Sequence, residues 1–222
     1  MTTTIQYQGR KARRAGSEQR RRAILEAALT IIVRDGIRAV RHRAVAREAD
    51  VPLSATTYYF KDIGDLIADT FTLFAERALS DVIGPFRDQA FALIRQLDGA
   101  PINNAAQRDQ LIDQLAELTT RFILDELQNR REHLIAEQAF LQEAILDQRL
   151  RELADLYLQQ QTDILVEACR AFGSDKPQLD AELIHGQIMV IEVRLLAHPE
   201  WVDESSLRNR TRHLLDRLVP HV

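Results

Sequence analysis

Arg41 to Phe60, RHRAVAREADVPLSATTYYF, reads as two short helices joined by a tight turn. From Arg41 to Ala49 the apolar residues Ala44, Val45, Ala46 and Ala49 fit one narrow helix face, and the helix is basic elsewhere. Asp50-Val51-Pro52 then breaks it, because proline lacks an amide donor and biases the residue before it away from the α region. A second helix restarts at Pro52 or Leu53 and ends in Thr56-Thr57-Tyr58-Tyr59-Phe60-Lys61, a run of hydroxyl groups and aromatic bodies with a terminal cation. Such a surface suits phosphate oxygens and base edges. Two helices with a short turn, the second polar on its outer face, form the helix-turn-helix unit whose second helix enters the DNA major groove.

Around this stretch lie an apolar helix with Ile24, Leu25, Ala28, Ile31 and Ile32, then Asp35-Gly36, and after it Asp65-Leu66. Together with Val45-Ala46-Arg47-Glu48-Ala49, Val51-Pro52-Leu53 and Tyr58-Tyr59-Phe60, the ordered set resembles the TetR family of bacterial one-component transcriptional regulators over residues 20 to 70. Three positions depart from the family pattern. Asp50 stands where the family often has glycine, Ile63 where it has a lysine before the fourth helix, and Thr57 where relatives commonly carry tyrosine. Lys61 can supply the missing cation. The resemblance implies an all-α fold, an N-terminal three-helix DNA-binding module followed by a helical ligand-binding and dimerisation domain, and the breakers and caps along the chain divide it into about nine helices. It also implies that Arg43 reaches a base and that His42, Tyr58, Tyr59 and Lys61 hold phosphates. Ser54, Ala55 and Thr56 are base-reading candidates on chemistry, since small residues let the backbone approach base edges and hydroxyls read donors or acceptors. Arg41, Leu53 and Thr57 complete the candidate DNA-binding set.

Charge sharpens the division. Residues 1 to 61 hold 13 Lys+Arg against 5 Asp+Glu, a net of +8, whereas residues 62 to 222 hold 16 against 28, a net of −12. The N-terminal quarter attracts polyanions and the remainder repels DNA, so the overall −4 conceals the partner. The single cysteine, Cys169, permits no internal disulfide and suits a reducing cytoplasm. No signal-peptide pattern and no run of about 18 apolar residues occurs, so a cytoplasmic protein without membrane contact is expected.

Breakers and caps set the expected organisation. Residues 1–16 read as a disordered basic arm, 17–61 as the helix-turn-helix domain, and 62–222 as the helical effector-binding and dimerisation domain. Ser17, Asp62, Asn104 and Asp203 are candidate N-caps. Gly36 and Gly173 are stops, Pro85 is a first-turn residue, and a break is expected near Asp147.

In the acidic part, aromatic and polar residues on apolar helices suggest an apolar pocket with few polar groups, and the resemblance implies a small lipophilic or amphipathic effector. The candidates are Phe74, Phe122, His133, Phe140, Tyr157, His185 and Met189, each weighed against ordinary core packing. Glu182 and His185 have the Glu-x-x-His spacing of carboxylate-bridged metal bundles, but such sites need two copies and this chain has one. No catalytic motif is present, so no enzymatic activity, metal or cofactor is expected. The last two helices are apolar on more faces than one helix pair buries, which points to a two-fold homodimer. Its candidate interface is Leu183, Ile184, Ile188, Ile191, Leu195, Leu207, Leu214, Leu215 and Leu218. The expected protein is a ligand-responsive repressor that binds a near-palindromic operator in double-stranded DNA as a dimer. An activator of the same fold and a helical scaffold without DNA binding are the alternatives.

Overall fold

The computed structural model describes residue 7, residues 15–96 and residues 104–220. Among them lie ten α-helices and no strand: α1 (Ala15–Asp35), α2 (His42–Glu48), α3 (Leu53–Tyr59), α4 (Ile63–Arg77), α5 (Gly84–Arg95), α6 (Ala105–Asn129), α7 (Arg131–Ala144), α8 (Gln148–Ala171), α9 (Pro177–Ala197) and α10 (Glu204–Leu218). A π-helical segment, Ala78–Ile83, joins α4 to α5 without a break, and counting that run as one helix gives nine. Pro85 sits in the first turn of α5, where its missing amide costs nothing, so it redirects hydrogen bonding without ending the helix.

The caps follow from side-chain chemistry. Asp62, Asn104 and Asp203 each accept the backbone N–H three residues on, at 2.9 Å, and so start α4, α6 and α10. Gly36 and Gly173, at φ 83° and 88°, follow the ends of α1 and α8 in the left-handed region. Ser17 does not cap α1, which begins at Ala15; its Oγ lies 2.8 Å from the Tyr59 hydroxyl. The expected arm at residues 1–16 falls almost wholly outside the described residues. Within it, Tyr7 donates a hydrogen bond to Glu76 Oε2 at 2.6 Å and lies under the Arg21 guanidinium, 4.4 Å from its ring centre.

The chain divides into two compact units, one of residues up to Ala78 with Ile135–Leu158, the other of Leu79–Leu134 with Gln159 onward. Compactness therefore groups α4, the end of α7 and the start of α8 with the N-terminal helices, where the charge reversal in the sequence suggested a division after residue 61. The reason lies in the first unit's aromatic core. Phe71 and Phe74 of α4 meet Phe140 of α7 and Tyr157 of α8, with Phe71 stacked on Phe140 at 4.6 Å. The Tyr157 hydroxyl is satisfied by Glu137 at 2.7 Å. On the other side of α4, buried Asp69 takes Arg21 Nη2 of α1 at 2.6 Å, and Arg77 pairs with Glu26.

In the second unit α6 is the central element, packed by α5, α9 and α10. Its Leu111, Ile112, Leu115, Ala116 and Leu118 join Ala181, Ile184 and Leu215 in one apolar core. Asp113 and Glu117 on α6 take Arg212 and Arg208 of α10 at 2.7 and 3.2 Å. Buried Arg108 donates to the Val219 and Pro220 carbonyls and holds Asp216 at 2.8 Å, which gives the open end of α10 a cation and donors. Among the described residues no helix is long and apolar enough to cross a membrane.

Candidate nucleic-acid interface

The side chains of α3 divide by helical period. Thr56 and Tyr59, with Phe60 just beyond, are buried; Ser54, Thr57, Tyr58 and Lys61, at i, i+3, i+4 and i+7, are exposed. The Tyr59 hydroxyl, 2.8 Å from Ser17 Oγ, ties the inner row to α1, and the buried Thr56 hydroxyl is satisfied within the helix by the Leu53 carbonyl at 2.8 Å. Thr56 and Tyr59, both among the candidate contacts, thus lie on the buried side of α3, 0 % and 5 % exposed. Their period with Phe60 was the available signal. The outer row keeps a short hydroxyl at each of its first two positions, an aromatic ring edge-on to Tyr59 at 5.0 Å, and a cation at its end. Leu53 is exposed as well, and Ala55 is half-buried.

On α2, Arg43 is exposed, and so is Arg47 one turn on, a cation that the sequence reading did not single out. His42 is half-buried, with Nδ1 shut from solvent and without a hydrogen-bond partner among the described residues. Arg41 is exposed and donates to the Val40 carbonyl at 2.9 Å. The turn between α2 and α3 places Asp50 at φ 49°, which accounts for the glycine common there in the resembling family: the left-handed conformation costs an L residue, and aspartate less than most. The outer rows of α2 and α3, with Arg41, thus present three arginines, a lysine and three hydroxyl side chains, and the exposed carboxylate of α2, Glu48, is paired with Arg34 at 3.1 Å. Such a surface can position on phosphates and read base edges.

The effector candidates fall into different settings. Phe74, Phe140 and Tyr157 are at most 3 % exposed and lie against one another, as core. Phe122 packs on Phe86, ring centres 4.5 Å apart, in a groove of about 190 Å³ lined also by Val82, Leu118, Arg121 and Arg130. His133 Nδ1 lies 2.7 Å from Oε2 of buried Glu126, which also takes Arg130. His185 Nδ1 is 3.0 Å from the Thr162 hydroxyl, and burial lowers its pKa. Met189 is half-buried on α9. Gln160 Oε1 and Gln161 Nε2 on α8 are shut from solvent without a partner among the described residues, and no sequence pattern marks either. Cys169 is fully buried, and burial first, then the Asp180 carboxylate, push its thiol up to about 12. Among the described residues no three His, Cys, Asp or Glu side chains are gathered to hold a metal.

Of the nine interface candidates, Ile184, Ile191, Leu195, Leu207 and Leu215 are buried in the chain's own core, and Ile188, Leu214 and Leu218 pack partly against it. The five buried ones face the core of their own chain, while Ile188, Leu214 and Leu218 keep part of their surface exposed. Leu183 alone stands clear. It belongs to a second row on α9, Leu179, Leu183, Gly186, Val190 and Val193, at i, i+4, i+7, i+11 and i+14, all exposed. The helix is apolar on two opposed faces, and one of them is uncovered.

An all-helical chain with an N-terminal helix-turn-helix and a helical remainder has the fold of the TetR-type transcriptional regulators, and solved structures bear this out. A TetR family member from Streptomyces coelicolor A3 is 24% identical, with 91% of this chain and 99% of that one covered at a TM-score of 0.64. The multidrug binding protein EbrR, complexed with imidazole, is 23% identical over 91% and 96% of the two chains at 0.61. SmeT in complex with triclosan is 17% identical over 91% and 92% at 0.63. At these identities the likeness is one of fold. No protein-family model matches the chain, and no curated protein sequence matches it.

Proposed function

We propose that the protein is a transcriptional regulator that binds a near-palindromic operator as a homodimer and is released from it by a small organic effector. The observation that carries this reading is the outer row of α3, Ser54, Thr57, Tyr58 and Lys61, exposed beside Arg43 and Arg47 and backed by a buried row that locks the helix in place. Phosphate contacts from Tyr58 and Lys61 set the register, and Arg43 and the short hydroxyl side chains read bases.

The open apolar row of α9 supports the dimer. Val190 and Leu183 are 62 % and 57 % exposed, and the 4-3-4-3 spacing of the row suits knobs-into-holes packing against a copy of itself across a two-fold axis. Two copies of α3 set about 34–36 Å apart would meet successive major grooves. Relatives in fold have been solved with imidazole, proflavin and triclosan, which supports an organic effector of modest size here. Linkage supplies the mechanism: an effector that prefers the dimer with its recognition helices mis-spaced weakens operator affinity by the same coupling energy, typically ~1–3 kcal/mol. Selection of binding sites from random duplexes across salt concentrations tests the reading. An enriched near-palindrome with a steep salt slope is expected; a folded dimer that enriches nothing, with and without candidate effectors, would refute it.

A further inference from the structure

Three residues, Phe60, Lys61 and Asp62, separate α3 from α4, so the first turn of α4 governs how α3 is presented. That turn is held from outside by α8. Arg149, in the first turn of α8, places Nη1 3.3 Å from Asp62 Oδ1 and 3.2 Å from Asp65 Oδ1, so one guanidinium spans both the cap of α4 and the residue whose amide it caps. Gly64, between those carboxylates, makes the approach possible. A Cβ there would stand 2.6 Å from Arg149 Cζ and 2.8 Å from Nη1, so the flexible end of Arg149 would have to swing aside and leave its place over the two carboxylates. The planar cation therefore lies against bare backbone. Arg149 is itself steadied, its backbone N–H donating to Asp147 Oδ1 at 2.8 Å.

We propose that Arg149 is a positioning residue for operator binding: by clamping Asp62 and Asp65 over Gly64 it fixes the first turn of α4 and, through Phe60 and Lys61, the angle at which α3 meets DNA. The proposal rests on the reading of α3 as the DNA-contacting helix. A half-exposed ion pair contributes little to stability by itself, so its effect belongs in position and not in melting temperature.

Gly64→Ala tests this without altering any charge. On helix propensity alone, alanine in the first turn of α4 should stabilise the protein. As a wedge under Arg149 it should instead lower operator affinity about three- to ten-fold and speed amide exchange across residues 53–66 by a similar factor, as should Arg149→Ala. The double variant should be no worse than either single one, because both break the same contact. Unchanged operator affinity in Gly64→Ala, or additive effects in the double variant, would overturn the clamp. The exchange measurement needs no DNA: if the wild-type protein selects no operator, the DNA reading fails by itself, while unaltered exchange in both variants would overturn the positioning role independently.

Discussion

Asp69→Ala should be among the most damaging single changes in the first unit. Asp69 is fully buried on α4, and Arg21, 4 % exposed on α1, donates to it at 2.6 Å. Arg21 also reaches Glu18 at 3.3 Å, lies over the rings of Tyr7 and Phe60, and leaves its Nε buried without a partner. Removing Asp69 strands a guanidinium that exposed Glu18 only partly neutralises, and breaking a buried pair in this way costs about 3–5 kcal/mol. For a chain of this length that lowers the melting temperature by roughly 6–20 °C. The pair is not thereby a large net stabiliser, since two buried charges lose hydration that their attraction only partly restores. Arg21→Met with Asp69→Leu should therefore recover most of the loss, giving a coupling energy of about 2 kcal/mol or more in a double-mutant cycle. Urea unfolding followed by circular dichroism measures all four corners. An Asp69→Ala loss below about 1 kcal/mol, or additivity with Arg21→Met, would refute the argument, because either would mean that water or another carboxylate already serves Arg21.

Four further outcomes are expected. Thr57→Ala should alter base preference in operator selection and cost about 1–3 kcal/mol of specific affinity, whereas Thr56→Val should change thermal stability and leave the preference intact. Asp50→Gly, which relieves an L residue at φ 49°, should shift stability upward by up to about 1 kcal/mol in the same urea assay, offset in part by the greater entropy of glycine in the unfolded chain. Val190→Glu, in the middle of the open row on α9, should give a folded monomer in sedimentation velocity; a dimer of unchanged affinity would place the interface elsewhere. Burial holds the folded pKa of His185 below the ordinary 6.5, so its neutral form is the one the fold prefers. Its contribution is complete above about pH 6.5 and is lost as pH falls from there through the folded value, so His185→Gln should flatten the thermal-stability profile between pH 7 and 5.

The helix-turn-helix, the helical class of the whole chain and most helix ends were legible in the sequence because they are local. Proline at 52, left-handed glycines at 36 and 173, and side-chain caps at 62, 104 and 203 act within four residues of themselves, and no distant contact overrides them. Helical period likewise marks which residues are apolar on a face. What it does not say is which of two apolar faces the chain itself covers. On α9 the row through Ile184, Ile191 and Leu195 is buried against the chain's own core, and the row through Leu183, Val190 and Val193 is left open, a choice made by α6 and invisible from α9 alone. The same holds for Thr56 and Thr57, adjacent and chemically identical, one sealed against the core and one facing solvent. It holds again for Arg149, which meets Asp62 and Asp65 across more than 80 residues of chain. Local sequence specifies backbone conformation, while burial and long-range pairing depend on which surfaces meet, and that is decided only when the helices pack together.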